Sequence, residues 1–154
     1  MTDIPAQSLS GRIVDGEHHL LVRIYYEDTD FSGVVYYANY MKFFERGRSD
    51  FLRLLGVHHL ELAALDVPLA FAVAHIDIRY RSPARIDDIV TVKSRSAGTK
   101  GAQFFLDQRI ERDGVLLCEA KFTAVCIDFN NRPRRLPKIL ADRITGHHSE
   151  TDQG

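Results

Sequence analysis

Tyr25-Tyr26-Glu27-Asp28-Thr29-Asp30-Phe31-Ser32-Gly33-Val34-Val35-Tyr36-Tyr37-Ala38-Asn39-Tyr40 joins two stretches of different periodicity, and that change of period decides the fold. Before it, His18 to Tyr26 is rich in Leu, Val, Ile and Tyr, the composition of a strand. After it, Ala38 to Leu55 runs at helical spacing: Tyr40, Phe44, Phe51 and Leu55, with Met41, Arg48 and Leu52 beside them, share one face. Lys42, Glu45, Arg46, Ser49, Asp50 and Arg53 fall opposite, so the spacing predicts one long amphipathic helix ended by Gly56. Gly47 in its middle costs ~1 kcal/mol relative to alanine, which close approach of the helix to a sheet would offset.

Downstream the period is two. A short helical segment around Leu60 to Leu65 precedes Pro68, and strands then follow at Leu69 to Tyr80, Asp87 to Ala97, Ala102 to Arg112 and Val115 to Phe129. Gly98-Thr99-Lys100-Gly101 and Asp113-Gly114 punctuate hairpins, which makes the strands antiparallel neighbours. In the last strand Leu116, Cys118, Ala120, Phe122, Ala124 and Cys126 alternate with Glu119, Lys121 and Thr123, forming an apolar stripe whose alanines admit a helix. In the first, the apolar phase moves from Leu69, Phe71 and Val73 to Ile76, Ile78 and Tyr80, which predicts a bulge near Ala74 and His75. The expected class is α+β, an antiparallel sheet of about five strands around one long helix. It occupies residues 18–144, between a flexible N-terminal extension (1–17) and a polar C-terminal tail (145–154) that follows a short helix after Pro137. One helix leaves much of the opposite sheet face without cover, so self-association is expected.

Composition narrows the function. The 154 residues, 45% hydrophobic, suit one domain with a sizeable core. Twenty Lys and Arg against 21 Asp and Glu, with no block of like charge, lack the electrostatic footprint of a nucleic-acid binder. Met1 to Gly16 is polar and broken by Pro5, Gly11 and Gly16, unlike a signal peptide, and no apolar run approaches the ~20 residues of a membrane span. The cytoplasm is the expected compartment. Cys118 and Cys126 would lie ~26 Å apart along one strand at ~3.3 Å per residue, beyond disulfide reach, and read as buried small hydrophobes. The pairs His18-His19, His58-His59 and His147-His148 have diverging side chains and read as surface residues, not a metal site.

Three carboxylates at the start of a helix admit several chemistries. Asp28 to Gly33 imitates the first half of an EF-hand loop, but the twelfth position is Asn39 and a strand, not a helix, precedes it. Asp28 and Asp30 also imitate an Asp-x-Asp phosphoryl-transfer nucleophile, a chemistry usually built on a parallel sheet; this chain has hairpins and no P-loop. The third reading is hydrolysis at a carbonyl: a carboxylate acts as base or nucleophile while free N–H groups of the helix start stabilise negative charge on oxygen. Gly33 permits close backbone approach, and the amides near Tyr36 and Tyr37 lie at the helix N-terminus. A plain helix-capping role for the acid accounts for the same composition.

Tyr26 to Asp30, Gly33 to Tyr40, Glu45-Arg46 and Arg48, with Tyr80-Arg81-Ser82-Pro83-Ala84-Arg85-Ile86-Asp87-Asp88 as a second segment, resemble the hotdog-fold acyl-CoA thioesterases. The resemblance runs from about His18 to Phe129 and is greatest to the 4-hydroxybenzoyl-CoA thioesterase type, particularly its branch associated with the Tol-Pal system. It implies hydrolysis of an acyl-CoA, short-chain aliphatic or aromatic, to free acid and coenzyme A. By position it implies Asp30 as catalytic carboxylate, nucleophile or general base, and the Tyr37 backbone amide as the group that polarises the thioester carbonyl, with Gly33 in the same catalytic set and Glu45 as a secondary acid. Tyr26, Val35, Tyr36, Asn39 and Arg85 fall on the substrate side. It implies no metal and no organic cofactor. The implied partners are acyl-CoA, further copies of the chain as a dimer or a dimer of dimers (a homotetramer), and an acyl carrier protein as a further candidate. Tyr37 stands where the Tol-Pal branch commonly has histidine and the hydroxybenzoyl type tyrosine, so a backbone role survives and an imidazole role does not. Arg79, Arg81 and Arg85 around Pro83, and Arg132, Arg134, Arg135 and Lys138 around Pro133, are candidates for the phosphates of coenzyme A or else a solvated surface. A non-catalytic acyl-CoA or acyl-carrier binding module on the same fold is the rival reading.

Overall fold

A computed structural model describes residues 9–153, with side chains to residue 146. The elements are β1 (Arg12–Val14), β2 (Glu17–Arg23), α1 (Tyr40–Leu54), α2 (His59–Ala63), β3 (Leu69–Tyr80), β4 (Ile89–Lys100), β5 (Gln103–Arg112), β6 (Val115–Asp128) and α3 (Lys138–Gln153). All six strands form one antiparallel sheet in the order β1-β2-β4-β5-β6-β3, one strand more than expected.

The extra strand corrects the reading of residues 12–17 as a flexible extension, while residues 1–8 lie outside the described residues. Asp15 and Gly16 both take positive φ, 52° and 76°, as do Asp113 and Gly114 at 51° and 78°. These are two-residue hairpin turns of one kind, and only the second is flanked by long strands. The tail is corrected too: α3 continues past Thr145 to Gln153, and Leu140 and Ile144 are buried where it docks on β4. His147 and His148 fall outside the residues with described side chains.

Phe43, Phe44 and Phe51 of α1 are each at most 1% exposed, so the helix is enclosed by the sheet. The helix approaches the sheet closely at Gly47, where an added Cβ would stand 2.7 Å from Val92 Cγ1, 3.1 Å from Gln108 Nε2 and 3.2 Å from Ser94 Oγ. At Gly47 the helix lies over β4 and β5, and it also meets β6, where Phe44 packs on Phe122 at 5.5 Å between centroids. Beneath it the buried Gln108 amide donates to the Phe44 carbonyl (3.0 Å) and to Ser94 Oγ (2.8 Å), and Arg48 lies 4.2 Å above the Phe122 ring. Gly56, at φ +83°, ends the helix as expected.

The bulge in β3 falls between Val73 and His75, where the change of apolar phase placed it. A further shift between Ile110 and Glu111 makes Leu117, not Leu116, the buried residue at the start of β6. Gly98 (φ +107°) lies at an irregularity within β4, so the strand continues to Lys100. Cys118 and Cys126 are free and buried, and burial pushes the Cys118 thiol up to about 12.

His18 and Asp50 overturn their surface assignments. His18 is fully buried, stacks on Phe51 at 5.5 Å between centroids, and places Nε2 2.6 Å from Asp50 Oδ2, which also accepts the Gly11 N–H at 2.8 Å. The pair fastens β2 and the chain before β1 to α1. Among the described residues no helix is long and apolar enough to cross a membrane.

Candidate active site

The site grows from the end of β2. Ile24 exchanges backbone bonds with the 87–88 segment, donating to Asp88 O (2.8 Å) and accepting from Asp87 N (2.9 Å), which seats the chain beside residues 84–88. A 3-10 turn follows at Tyr26–Asp28, and Asp28 Oδ2 accepts the Tyr25 N–H at 2.8 Å. The first aspartate of the pair thus holds backbone and is buried.

From Asp28 the chain doubles back. Tyr36 N donates to Asp28 O (3.0 Å), Asp30 N to Val34 O (2.9 Å), and Thr29 bridges Val35, making a small hairpin with Phe31, Ser32 and Gly33 at its tip. Gly33 has φ +84°, a left-handed conformation that a side chain would strain. No atom lies within 4 Å of an added Cβ there, so it is this conformation rather than crowding that calls for glycine. Val34 bridges Arg85 and Val35 N donates to Ala84 O (2.9 Å), which joins the hairpin to the second segment of the resemblance.

Asp30 lies on this hairpin, partly exposed. Its Oδ1 accepts both the Ser32 hydroxyl (2.5 Å) and the Ser32 N–H (2.8 Å). These two bonds, the hydroxyl first, hold its carboxyl below the ordinary carboxylate range.

A second 3-10 turn, Tyr37–Asn39, leads straight into α1. Asn39 Nδ2 donates to Asp28 O (2.8 Å) and its N–H to Tyr36 O (2.8 Å), so Asn39 ties the turn to the hairpin. The Tyr37 N–H, at the start of the turn, has no acceptor among the described residues. The Tyr80 hydroxyl donates to the Tyr37 carbonyl at 3.0 Å, and Tyr40 Oη accepts from the buried Ala84 N–H at 3.0 Å. Ring centroids stand 4.9 Å apart for Tyr36 and Tyr37, 6.2 Å for Tyr37 and Tyr80, and 5.5 Å for Tyr40 and Tyr80. A cleft of about 240 Å³ runs between Val35, Tyr37, Tyr40, Tyr80, Ser82 and Pro83.

Asp30, Gly33, Val35, Tyr36, Tyr37 and Asn39 therefore gather in one hairpin and turn, with Arg85 held beside it through Val34. Tyr26 is 80% exposed on the preceding turn. Glu45 is exposed on α1 and accepts the Ser49 hydroxyl at 2.8 Å. Of the basic residues considered for phosphates, Arg81 is paired with Glu119 (2.8 Å) and Arg134 with Asp128 (2.9 Å). The sequence places Tyr80 in the second apolar phase of β3 and in the second segment of the resemblance; nothing in its spacing announces a bond to a residue before α1.

Comparison with known proteins agrees with this architecture. The model of the thioesterase-like superfamily matches residues 24–144, and the chain belongs to that family. It is 41% identical over 122 residues to the acyl-CoA thioester hydrolase YbgC of Escherichia coli O157:H7, covering 77% of this chain and 89% of that protein. Identity to the acyl-CoA thioesterase YbgC of Haemophilus influenzae is 37% over 137 residues, covering 88% and 98%. A crystal structure of a probable thioesterase from Bartonella henselae superposes with a TM-score of 0.76 at 44% identity, over 79% of this chain and 99% of that one. The fold is the hotdog fold of the thioesterases, as the resemblance implied.

Proposed function

We propose that the protein hydrolyses an acyl-CoA thioester to the free acid and coenzyme A, with Asp30 as nucleophile or general base. The observation that carries this reading is the pairing of a partly exposed carboxylate at Asp30, held ionised by Ser32, with an unengaged N–H at Tyr37, on one hairpin and the helix start it feeds. In the general-base route Asp30 takes a proton from water as the hydroxide oxygen adds to the carbonyl. In the nucleophilic route an Asp30 oxygen adds instead, giving an acyl-enzyme anhydride that water cleaves. In both, the Tyr37 N–H donates to the carbonyl oxygen as it becomes negative, the C–S bond breaks, and the leaving thiolate is protonated. Tyr26, Val35, Tyr36 and Arg85 belong to the substrate side of the same surface, Gly33 and Asn39 shape its backbone, and Glu45 is a secondary acid. None of these steps calls on a metal or an organic cofactor. The relatives' activity on acyl-CoA supports the substrate.

The working unit is an oligomer built from a dimer. Strand β3 is a twelve-residue edge with β6 on one side alone, whereas the opposite edge, β1, has three residues. A long free edge carrying exposed Val73 and Tyr80 favours antiparallel pairing with the same strand of a second copy. Phe31, Tyr25, Tyr26, Tyr36 and Tyr37 are exposed as well, an apolar patch that a neighbouring subunit would cover. Two free buried cysteines suit a reducing compartment such as the cytoplasm.

A thiol-release assay over aliphatic and aromatic acyl-CoAs, with an acyl carrier protein thioester beside them, tests the reading. Release of thiol with turnover supports it; binding of acyl-CoA without release supports the non-catalytic module.

A further inference from the structure

We propose that Tyr80 is a positioning and specificity-determining residue: its hydroxyl fixes the Tyr37 turn, and its ring forms the wall against which a flat aromatic acyl group packs. The inference rests on the thioesterase reading and extends it to a residue outside the acidic junction.

The turn at Tyr37 is closed by the Asn39 N–H on Tyr36 O (2.8 Å) and tied to the hairpin by Asn39 Nδ2 on Asp28 O (2.8 Å), and neither bond engages the N–H or carbonyl of Tyr37. It is a single 3-10 turn without a side-chain cap at Tyr36, and the orientation of its first N–H depends on the backbone around the Tyr37 Cα. The Tyr80 hydroxyl holds the carbonyl on the other side of that Cα, from a residue 43 positions away. Tyr80 is itself well anchored. It ends β3 opposite Cys118, and the next two residues, Arg81 and Ser82, both donate to Leu117 O, at 2.8 and 3.1 Å. A rigid strand end is thereby coupled to the backbone group that must point at the carbonyl oxygen.

The ring does a second job. Tyr80 meets Tyr37 edge-on at 88° and Tyr40 at 68°, and these three rings line the cleft with Val35 and Pro83. Its volume of about 240 Å³ suits a small group, since sites for larger ligands run to ~300–1,000 Å³. A flat aromatic group can meet these rings in the edge-to-face geometry that aromatic pairs favour over a face-to-face sandwich.

The test uses Tyr80→Phe and Tyr80→Leu in the full chain, with steady-state kinetics on benzoyl-CoA and butanoyl-CoA and amide hydrogen exchange over residues 36–40. Tyr80→Phe lowers kcat ~3–10-fold on both substrates at unchanged KM, consistent with loss of one hydrogen bond, and speeds exchange at the turn. Tyr80→Leu adds a ~5–10-fold fall in the benzoyl-to-butanoyl ratio of kcat/KM, which phenylalanine restores. Wild-type exchange in Tyr80→Phe overturns the positioning role whether or not the protein turns over any acyl-CoA. An unchanged ratio in Tyr80→Leu overturns the wall. Absence of thiol release from wild type sinks the thioesterase reading and the wall with it, and exchange still decides the tether.

Discussion

Ser32 offers both its hydroxyl and its backbone N–H to the same oxygen of Asp30, Oδ1. The Val34 backbone N–H adds a smaller pull on the same carboxylate, so Asp30 is oriented by its own hairpin. Asp28, two residues earlier, directs its Oδ2 to the Tyr25 N–H. The two aspartates of the Asp-Thr-Asp motif therefore differ: Asp28 braces the backbone of the preceding turn, whereas Asp30, the proposed catalytic carboxylate, is held on the hairpin by Ser32.

Their substitutions should separate in the same way. Asp30→Ala is expected to lower turnover at least ~100-fold, as loss of a main catalytic group does, with the thermal midpoint preserved. Asp28→Ala should destabilise the fold by ~0.5–2 kcal/mol, the range for a lost capping bond. Near-native turnover by folded Asp30→Ala would sink the catalytic assignment.

The pH profile follows from the direction of the Asp30 shift. A carboxylate held below its ordinary value stays ionised to lower pH, so activity should persist as the medium is acidified and fall only below pH ~3.9, the unperturbed aspartate value. Ser32→Ala removes the largest cause of the depression, and the acid limb of kcat/KM should move upward. An acid limb that stays in place in Ser32→Ala would show that another group controls the profile.

Gly47→Ala tests the helix contact. Alanine is worth ~1 kcal/mol to an isolated helix, but its Cβ would meet Val92 at 2.7 Å and Gln108 at 3.1 Å. Overpacking typically costs ~1–3 kcal/mol, so the variant should be less stable in urea unfolding. A more stable variant would mean that Val92 rotates away without penalty.

His18 should give stability a pH dependence. With Nε2–H donated to Asp50, the buried Nδ1 is a bare acceptor; protonation would make it a buried donor with nothing to receive it. Burial accordingly lowers its pKa, against the opposing pull of Asp50. Because the unfolded chain binds the proton more readily, stability should fall as pH drops from above ~6.5 toward the lowered folded value. His18→Gln, which keeps a donor and loses the titration, should show a shallower slope in unfolding measurements between pH 5 and 7.5. A wild type that gains stability on acidification would reverse the assignment.

The chain's own periodicity located α1, the five long strands, the β3 bulge and the Asp113-Gly114 turn, because each repeats a local pattern over enough residues to stand out. It missed β1, whose three residues are too few to display alternation and whose turn lies in a polar stretch. Helical spacing places Asp50 opposite the apolar face because periodicity distinguishes only two sides of a helix; the His18 ring approaches from β2, on a flank the spacing does not describe. The acidic junction was legible as a site through its residue types. The division between Asp28 and Asp30 depends on which N–H groups the backbone turns toward each, and the Tyr80 tether joins segments far apart in the chain.

The two cysteines have a practical consequence. Cys118 and Cys126 are the chain's only thiols, both sealed in β6, and the first is pushed to about 12. A colorimetric thiol reagent added to the folded protein will register the coenzyme A liberated and almost nothing from the enzyme. On denaturation the same reagent will count two sulfhydryls per chain, so one dye reports product formation under native conditions and loss of the native core under unfolding ones.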